Sequence, residues 1–111
     1  MENKEIEEIL LGKLIVKPKL LDKYSQLLHK DLFEYPFNKS VYHALMDLHS
    51  SARTIDILTV SKLIKGDNVA LELSYLTDRA WEFTEIITCI GILTEEFQKR
   101  TLTGIVHNVH N

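Results

Sequence analysis

Residues 5–18 read Glu-Ile-Glu-Glu-Ile-Leu-Leu-Gly-Lys-Leu-Ile-Val-Lys-Pro, and the spacing of their apolar positions decides the fold class. Ile6, Ile9, Leu10, Leu14 and Ile15 recur at three- and four-residue intervals, the period of one face of an α-helix. Glu2, Glu5, Glu7 and Glu8 crowd the first turns, where the helix dipole favours negative charge. Pro18 closes the helix, because the residue before a proline avoids helical geometry.

The same period continues along the chain. A second helix is expected from about Lys19 to Leu28, with Leu20, Leu21, Leu27 and Leu28 as its apolar face. The aromatic stretch Asp31-Leu32-Phe33-Glu34-Tyr35-Pro36-Phe37 reads as a loop packing its rings on the bundle. Asn38 is then expected to cap a third helix running to about His49, with Val41, Leu45 and Leu48 inward. Asp56 is placed to cap a short fourth helix carrying Thr59, Val60 and Leu63. Gly66-Asp67-Asn68 is the clearest turn, and a fifth helix follows over about Val69–Leu76. The last helix starts near Thr84 and runs to about Val109, with Ile86, Ile90, Leu93 and Phe97 as a stripe. The expectation is an all-α protein: a compact bundle of five or six helices with a long C-terminal helix.

Bulk properties agree. With 111 residues there is room for one domain, and 45% hydrophobic with 26% charged residues is globular composition. Four glycines and two prolines leave few tight turns, which suits helices better than a many-stranded sheet. A net charge of −3 and the lack of a dense Lys/Arg run argue against tight DNA binding. Cys89 is the single cysteine, so neither an intramolecular disulfide nor a cysteine-rich zinc site is available. The acidic N-terminus is unlike a secretory signal, and no apolar stretch approaches the ~20 residues of a membrane span. A soluble, cytoplasmic protein with no membrane partner is expected.

Several fragments together carry a family resemblance. They are Glu8-Ile9-Leu10-Leu11-Gly12-Lys13-Leu14-Ile15, Asp31-Leu32-Phe33, Val41-Tyr42-His43-Ala44, Thr54-Ile55-Asp56-Ile57-Leu58-Thr59-Val60, Tyr75-Leu76, and Glu95 through Leu102 with Arg100 inside. In this order and spacing the chain resembles the N-terminal domain of DnaB-type replicative helicases. Asn38 stands where that family often has histidine.

The resemblance implies a head domain over about residues 1–83 and, over about 84–111, the start of a helical hairpin that packs on a partner subunit. It also implies an oligomerisation and primase-docking role in the primosome, with self-association as a dimer or hexamer and a helicase loader as a further partner. No Gly-x4-Gly-Lys-Ser/Thr loop is present to cradle ATP phosphates, so the chain itself is expected to carry no catalysis and no cofactor. A chain that starts at Met1 and stops mid-helix fits an excised head domain better than a stand-alone product. The alternatives are a stand-alone regulator or loader that binds the helicase, and the helicase-binding domain of a primase.

Individual residues are read against their blander roles. His107 and His110 are spaced to share a metal but lack a third ligand nearby, so terminal histidines are the better reading and no metal is expected. His29, His43 and His49 read as surface or boundary residues, and Cys89 as a small buried hydrophobe. Trp81 and Phe83 are expected to pack as core or lid, with a partner hot spot as the alternative. Glu95 with Lys99 and Glu96 with Arg100 read as surface pairs one helical turn apart. The candidate interface is the stripe Ile86, Ile90, Leu93 and Phe97, together with Arg100 as the family's recurrent arginine.

Overall fold

The computed structural model describes residues 2–110, with side chains through Thr103. Six α-helices follow one another: α1 (Asn3–Val16), α2 (Leu20–Tyr24), α3 (Pro36–Ser50), α4 (Ile57–Ser61), α5 (Val69–Asp78) and α6 (Ile86–His110). Short 3-10 turns occupy Ser25–Leu27, Lys30–Leu32 and Arg79–Trp81, and no strand forms among the described residues. The all-α expectation holds.

Helix α1 is the hub. It packs against α3, α5, α6 and the Arg79–Trp81 turn, so its neighbours surround it rather than cover one stripe. Ile6, Ile9, Leu10, Leu11, Leu14 and Ile15 are all buried, and so are Gly12 and Glu7. The closest approach is to α5. A Cβ on Gly12 would lie 1.9 Å from the Leu76 carbonyl oxygen, so only glycine lets the two backbones meet there.

Two boundaries differ from the sequence expectation. Helix α2 ends at Tyr24 and tightens into the Ser25–Leu27 turn, which leaves Leu27 exposed while Leu21 and Leu28 reach the core. Helix α3 begins two residues before Asn38. Pro36 takes the first helical position, where its fixed φ fits and its missing N–H costs nothing. Tyr35 is therefore the cap residue, and the Asn38 side chain is free to turn inward. The ring-bearing loop divides its residues: Phe33 is buried and stacks on Tyr42 with centroids 5.2 Å apart, whereas Tyr35 stays exposed.

Asp56 caps α4 as expected. Its Oδ1 accepts from the Thr59 N–H at 2.8 Å, and the Thr59 hydroxyl accepts from the Asp56 N–H at 3.0 Å, closing a capping box. Val60 is buried by this helix and Leu63, just beyond it, is exposed. Asp56→Ala is expected to cost about 1 kcal/mol of unfolding free energy, read from chemical denaturation. A larger loss would mean that the cap also positions the α3–α4 connection. Gly66, with φ 141°, and Asn68, with φ 60°, supply the left-handed backbone of the turn into α5.

Helix α6 has 25 residues, or ~38 Å at 1.5 Å rise per residue. Its first half lies along α1 and the Lys30–Leu32 turn. Further out, Leu102 is exposed. No helix is long and apolar enough to cross a membrane among the described residues.

Candidate interaction surface

The segment joining α5 to α6 is held from below. Lys13, one residue past the glycine crossing, donates from Nζ to the carbonyl oxygens of Ala80 and Glu82, both at 2.9 Å. Arg79 lies 3.8 Å from both Glu8 and Glu82 and ties the same segment to α1 from the side. Ala80 fills the space beside Gly12, its backbone nitrogen 3.3 Å from where a Cβ would stand. With the small residue turned inward, the 3-10 turn directs the next one outward.

Trp81 is consequently 78% exposed and Phe83 101% exposed. Core or lid packing of these aromatics is corrected: both are surface residues. Beside Trp81 runs a groove of about 370 Å³ lined by the apolar and aromatic side chains of Val16, Leu20, Tyr24, Trp81, Ile86 and Ile87, with Lys17 and Glu85 among its charged residues. Large aromatics left in water on a pinned loop are unusual, because burying one would remove ~150–250 Å² of mostly apolar surface from solvent.

Of the α6 stripe, Ile86 reaches the lining of this groove, and Ile90, Leu93 and Phe97 do not. Ile86, Ile90 and Leu93 are 8%, 4% and 1% exposed and face the chain's own core, with Cys89 between them. Phe97 is half-buried and meets His29 edge to face, centroids 4.8 Å apart. Arg100 donates to the Asp31 carbonyl at 2.7 Å and pairs with Glu34 at 3.0 Å, its guanidinium 5.9 Å above the Phe97 ring. It thus reaches across the fold rather than to Glu96 along its own helix; Glu96 is met by Lys99 at 3.6 Å instead. The side chains of His107 and His110 lie outside the described residues.

Glu7 is the polar residue the sequence reading misses. It is fully buried, and its carboxylate accepts from the Glu34 N–H and from Asn38 Nδ2, both at 3.0 Å. Burial pushes its pKa up, against the opposing pull of those hydrogen bonds. A signal exists in the sequence: Glu7 shares a face with Leu10, Leu11 and Leu14, at three, four and seven residues' distance. Burial likewise raises the Cys89 thiol and the Tyr42 phenol. None of these three groups lines the groove.

A family model described as the DnaB-like helicase N-terminal domain matches residues 1–96, from α1 through the middle of α6. The chain belongs to this family. Replicative DNA helicase DnaB of Nostoc sp. is 27% identical over 107 residues, covering 91% of this chain and 12% of that protein. The DnaB of Synechocystis sp. is 23% identical over 114 residues, covering 97% and 13%. Replicative DNA helicase DnaC of Bacillus subtilis is 29% identical over 82 residues, covering 71% and 18%. The chain therefore spans less than one fifth of the length of each of these relatives. No solved structure matches it. As a DnaB N-terminal domain, the chain corresponds to a region of the helicase separate from its ATPase motor.

Proposed function

We propose that this domain is a non-catalytic assembly and docking module of a replicative DNA helicase, which associates with further helicase subunits and presents a surface to primase. The observation that supports this most is the pinned, solvent-facing pair Trp81 and Phe83 beside an apolar groove. Binding energy at protein interfaces concentrates in such aromatic anchors. Lys13 holds the segment's backbone in place, so little ordering entropy is lost on docking. The titratable groups that the fold perturbs, Glu7, Tyr42 and Cys89, are perturbed by enclosure in the core, which suits packing rather than proton transfer in a cleft.

Isothermal titration of the cognate primase into the purified domain tests the reading, alongside an ATPase assay with and without single-stranded DNA. Saturable binding of primase, without ATP turnover, is expected. ATP hydrolysis that survives repurification, or primase that fails to bind at any accessible concentration, overturns it. The net charge of −3 adds a further expectation. A labelled oligonucleotide at physiological salt should show no submicromolar binding by fluorescence anisotropy.

A further inference from the structure

We propose that a second groove, formed where the start of α3 meets α1 and α5, docks an extended proline-rich segment of a partner protein, with a basic residue of that segment seated at Glu72. This groove shares no residue with the one beside Trp81, and the inference goes beyond the docking reading above.

The groove has a volume of about 350 Å³, and its aromatic lining is Tyr35, Phe37 and Tyr75, with Pro36 between the first two. Local sequence fixes these rings. Tyr35 precedes Pro36 and holds extended backbone, φ −88° and ψ 128°, as the residue before a proline prefers. Phe37 is partly buried against the core, and Asn38 behind it is tied inward to Glu7. Tyr75 stands beside the buried Leu76 on α5 and is 61% exposed, and Tyr35 is exposed as well.

The chemistry of the lining selects the occupant. Its exposed rings are phenols rather than aliphatic side chains. An amphipathic helix pairs its own backbone groups and offers a groove mainly apolar side chains, so it would leave the phenols without partners. A polyproline II segment has no internal hydrogen bonds. Its carbonyls can accept from phenolic O–H groups while its prolines stack on the rings, and its shape is set before it binds.

Charge orients the segment. The Lys4 ammonium stands 5.7 Å from the centroid of the Tyr35 ring, so a cation already occupies that end. Glu8, also in the lining, faces Arg79 at 3.8 Å. Glu72 is exposed and, among the described residues, has no cation within ion-pairing distance. It lies one turn from Tyr75 on α5, so the two side chains are neighbours. A basic residue flanking the prolines is therefore attracted to Glu72 and repelled from Tyr35 by Lys4.

The probe is a synthetic peptide of repeated Pro-Ala-Pro with an arginine at each end, titrated into the ¹⁵N-labelled chain and followed by two-dimensional NMR. Saturable shifts are expected around Tyr35–Asn38 and Glu72–Leu76. A peptide with alanine in place of every proline should bind at least tenfold more weakly. Tyr75→Ala should weaken binding tenfold or more without lowering the melting temperature, since its side chain is exposed. The decisive arm is Glu72→Lys. It should weaken binding of the arginine peptide and strengthen that of a peptide with glutamate at each end.

Absence of saturable shifts at millimolar peptide overturns the inference. So does equal binding of the alanine peptide, indifference to Tyr75→Ala, or a charge preference that Glu72→Lys leaves unchanged. Primase titrated into Tyr75→Ala keeps the two readings apart. Primase that binds this variant as it binds wild type is expected, and its loss there would give the groove to primase and overturn the inference. A wild-type chain that takes the peptide as described and ignores primase would remove the docking role proposed above and keep this one.

Discussion

Gly12→Ala is expected to lower the melting temperature of this domain by more than 10 °C, and Gly91→Ala to raise it slightly. Both glycines are interior to helices, where alanine is intrinsically better by ~1 kcal/mol. Their surroundings decide the sign. A methyl at position 91 meets nothing within 4 Å, so Gly91→Ala should keep most of the helix-propensity gain. A methyl at position 12 would lie 1.9 Å from the Leu76 oxygen and 2.8 Å from its carbonyl carbon.

Those are backbone atoms of α5 and cannot rotate away. The two helices must separate, opening the packing between Leu10, Leu11, Leu14 and the α5 residues Leu73 and Leu76. Overpacking a core costs ~1–3 kcal/mol when side chains can yield. Against backbone the cost should exceed ~3 kcal/mol net, a large part of the ~5–15 kcal/mol that a domain possesses. At ~4–8 °C per kcal/mol for a domain of this size, the shift is easily seen by circular dichroism. Lys13 should lose its grip on Ala80 and Glu82 in the same variant, so Trp81 emission should change as well. A Gly12→Ala protein that melts with wild type would mean that α1 and α5 cross with more space than the geometry allows.

What the sequence makes legible follows from how local each cause is. The face Ile6–Ile9–Leu10–Leu14–Ile15, the Asp56 cap and the Gly66–Asn68 turn are set by residues within one or two turns of each other, and each forms as read. Asn38 departs from its expected role because two residue types compete for one helix start. Pro36 fixes the first helical φ, and the amide of Asn38 then goes to Glu7, far away in sequence.

Trp81 and Phe83 depart for a similar reason. Whether Ala80 or Trp81 turns inward depends on the phase of the Arg79–Trp81 turn, and that phase is set where α5 crosses Gly12. Gly12 is visible as part of a resembling motif, but its closeness to Leu76 is a tertiary fact. The role of Arg100 is non-local too: Glu96 is its neighbour along the helix, but Asp31 and Glu34 lie closer in the fold. The candidate surface is thus legible as a set of aromatics, while their direction is not.

Glu7→Ala is expected to destabilise the domain by about 2–4 kcal/mol, and its pH dependence identifies the cause. Removing the carboxylate strands two donors, the Glu34 N–H and Asn38 Nδ2, in an enclosed site and leaves a cavity beside Leu10 and Leu11. Opposing this, a buried carboxylate costs free energy to ionise, which is why its pKa lies above the ordinary 4.5. The orphaned donors and cavity should outweigh that relief, because each donor bond to a charged acceptor is worth about 1.5–3 kcal/mol.

Glu7→Gln separates the two contributions. Its amide oxygen can still accept from one donor, but its NH₂ faces the other, so the loss should be intermediate. The sign of the pH effect follows from the raised pKa. Below 4.5 the folded and unfolded states both carry a protonated Glu7, and its favourable contribution is complete. As pH rises from 4.5 through the elevated folded-state value, the unfolded chain releases the proton more readily and that contribution is lost. The stability of wild type minus that of Glu7→Gln should therefore grow as pH falls from 7 toward 4.5, the remaining carboxylates largely cancelling in the difference. Urea denaturation of both proteins at several pH values measures it. A difference that shrank on acidification would mean that the two hydrogen bonds outweigh burial and hold the Glu7 pKa below its ordinary value.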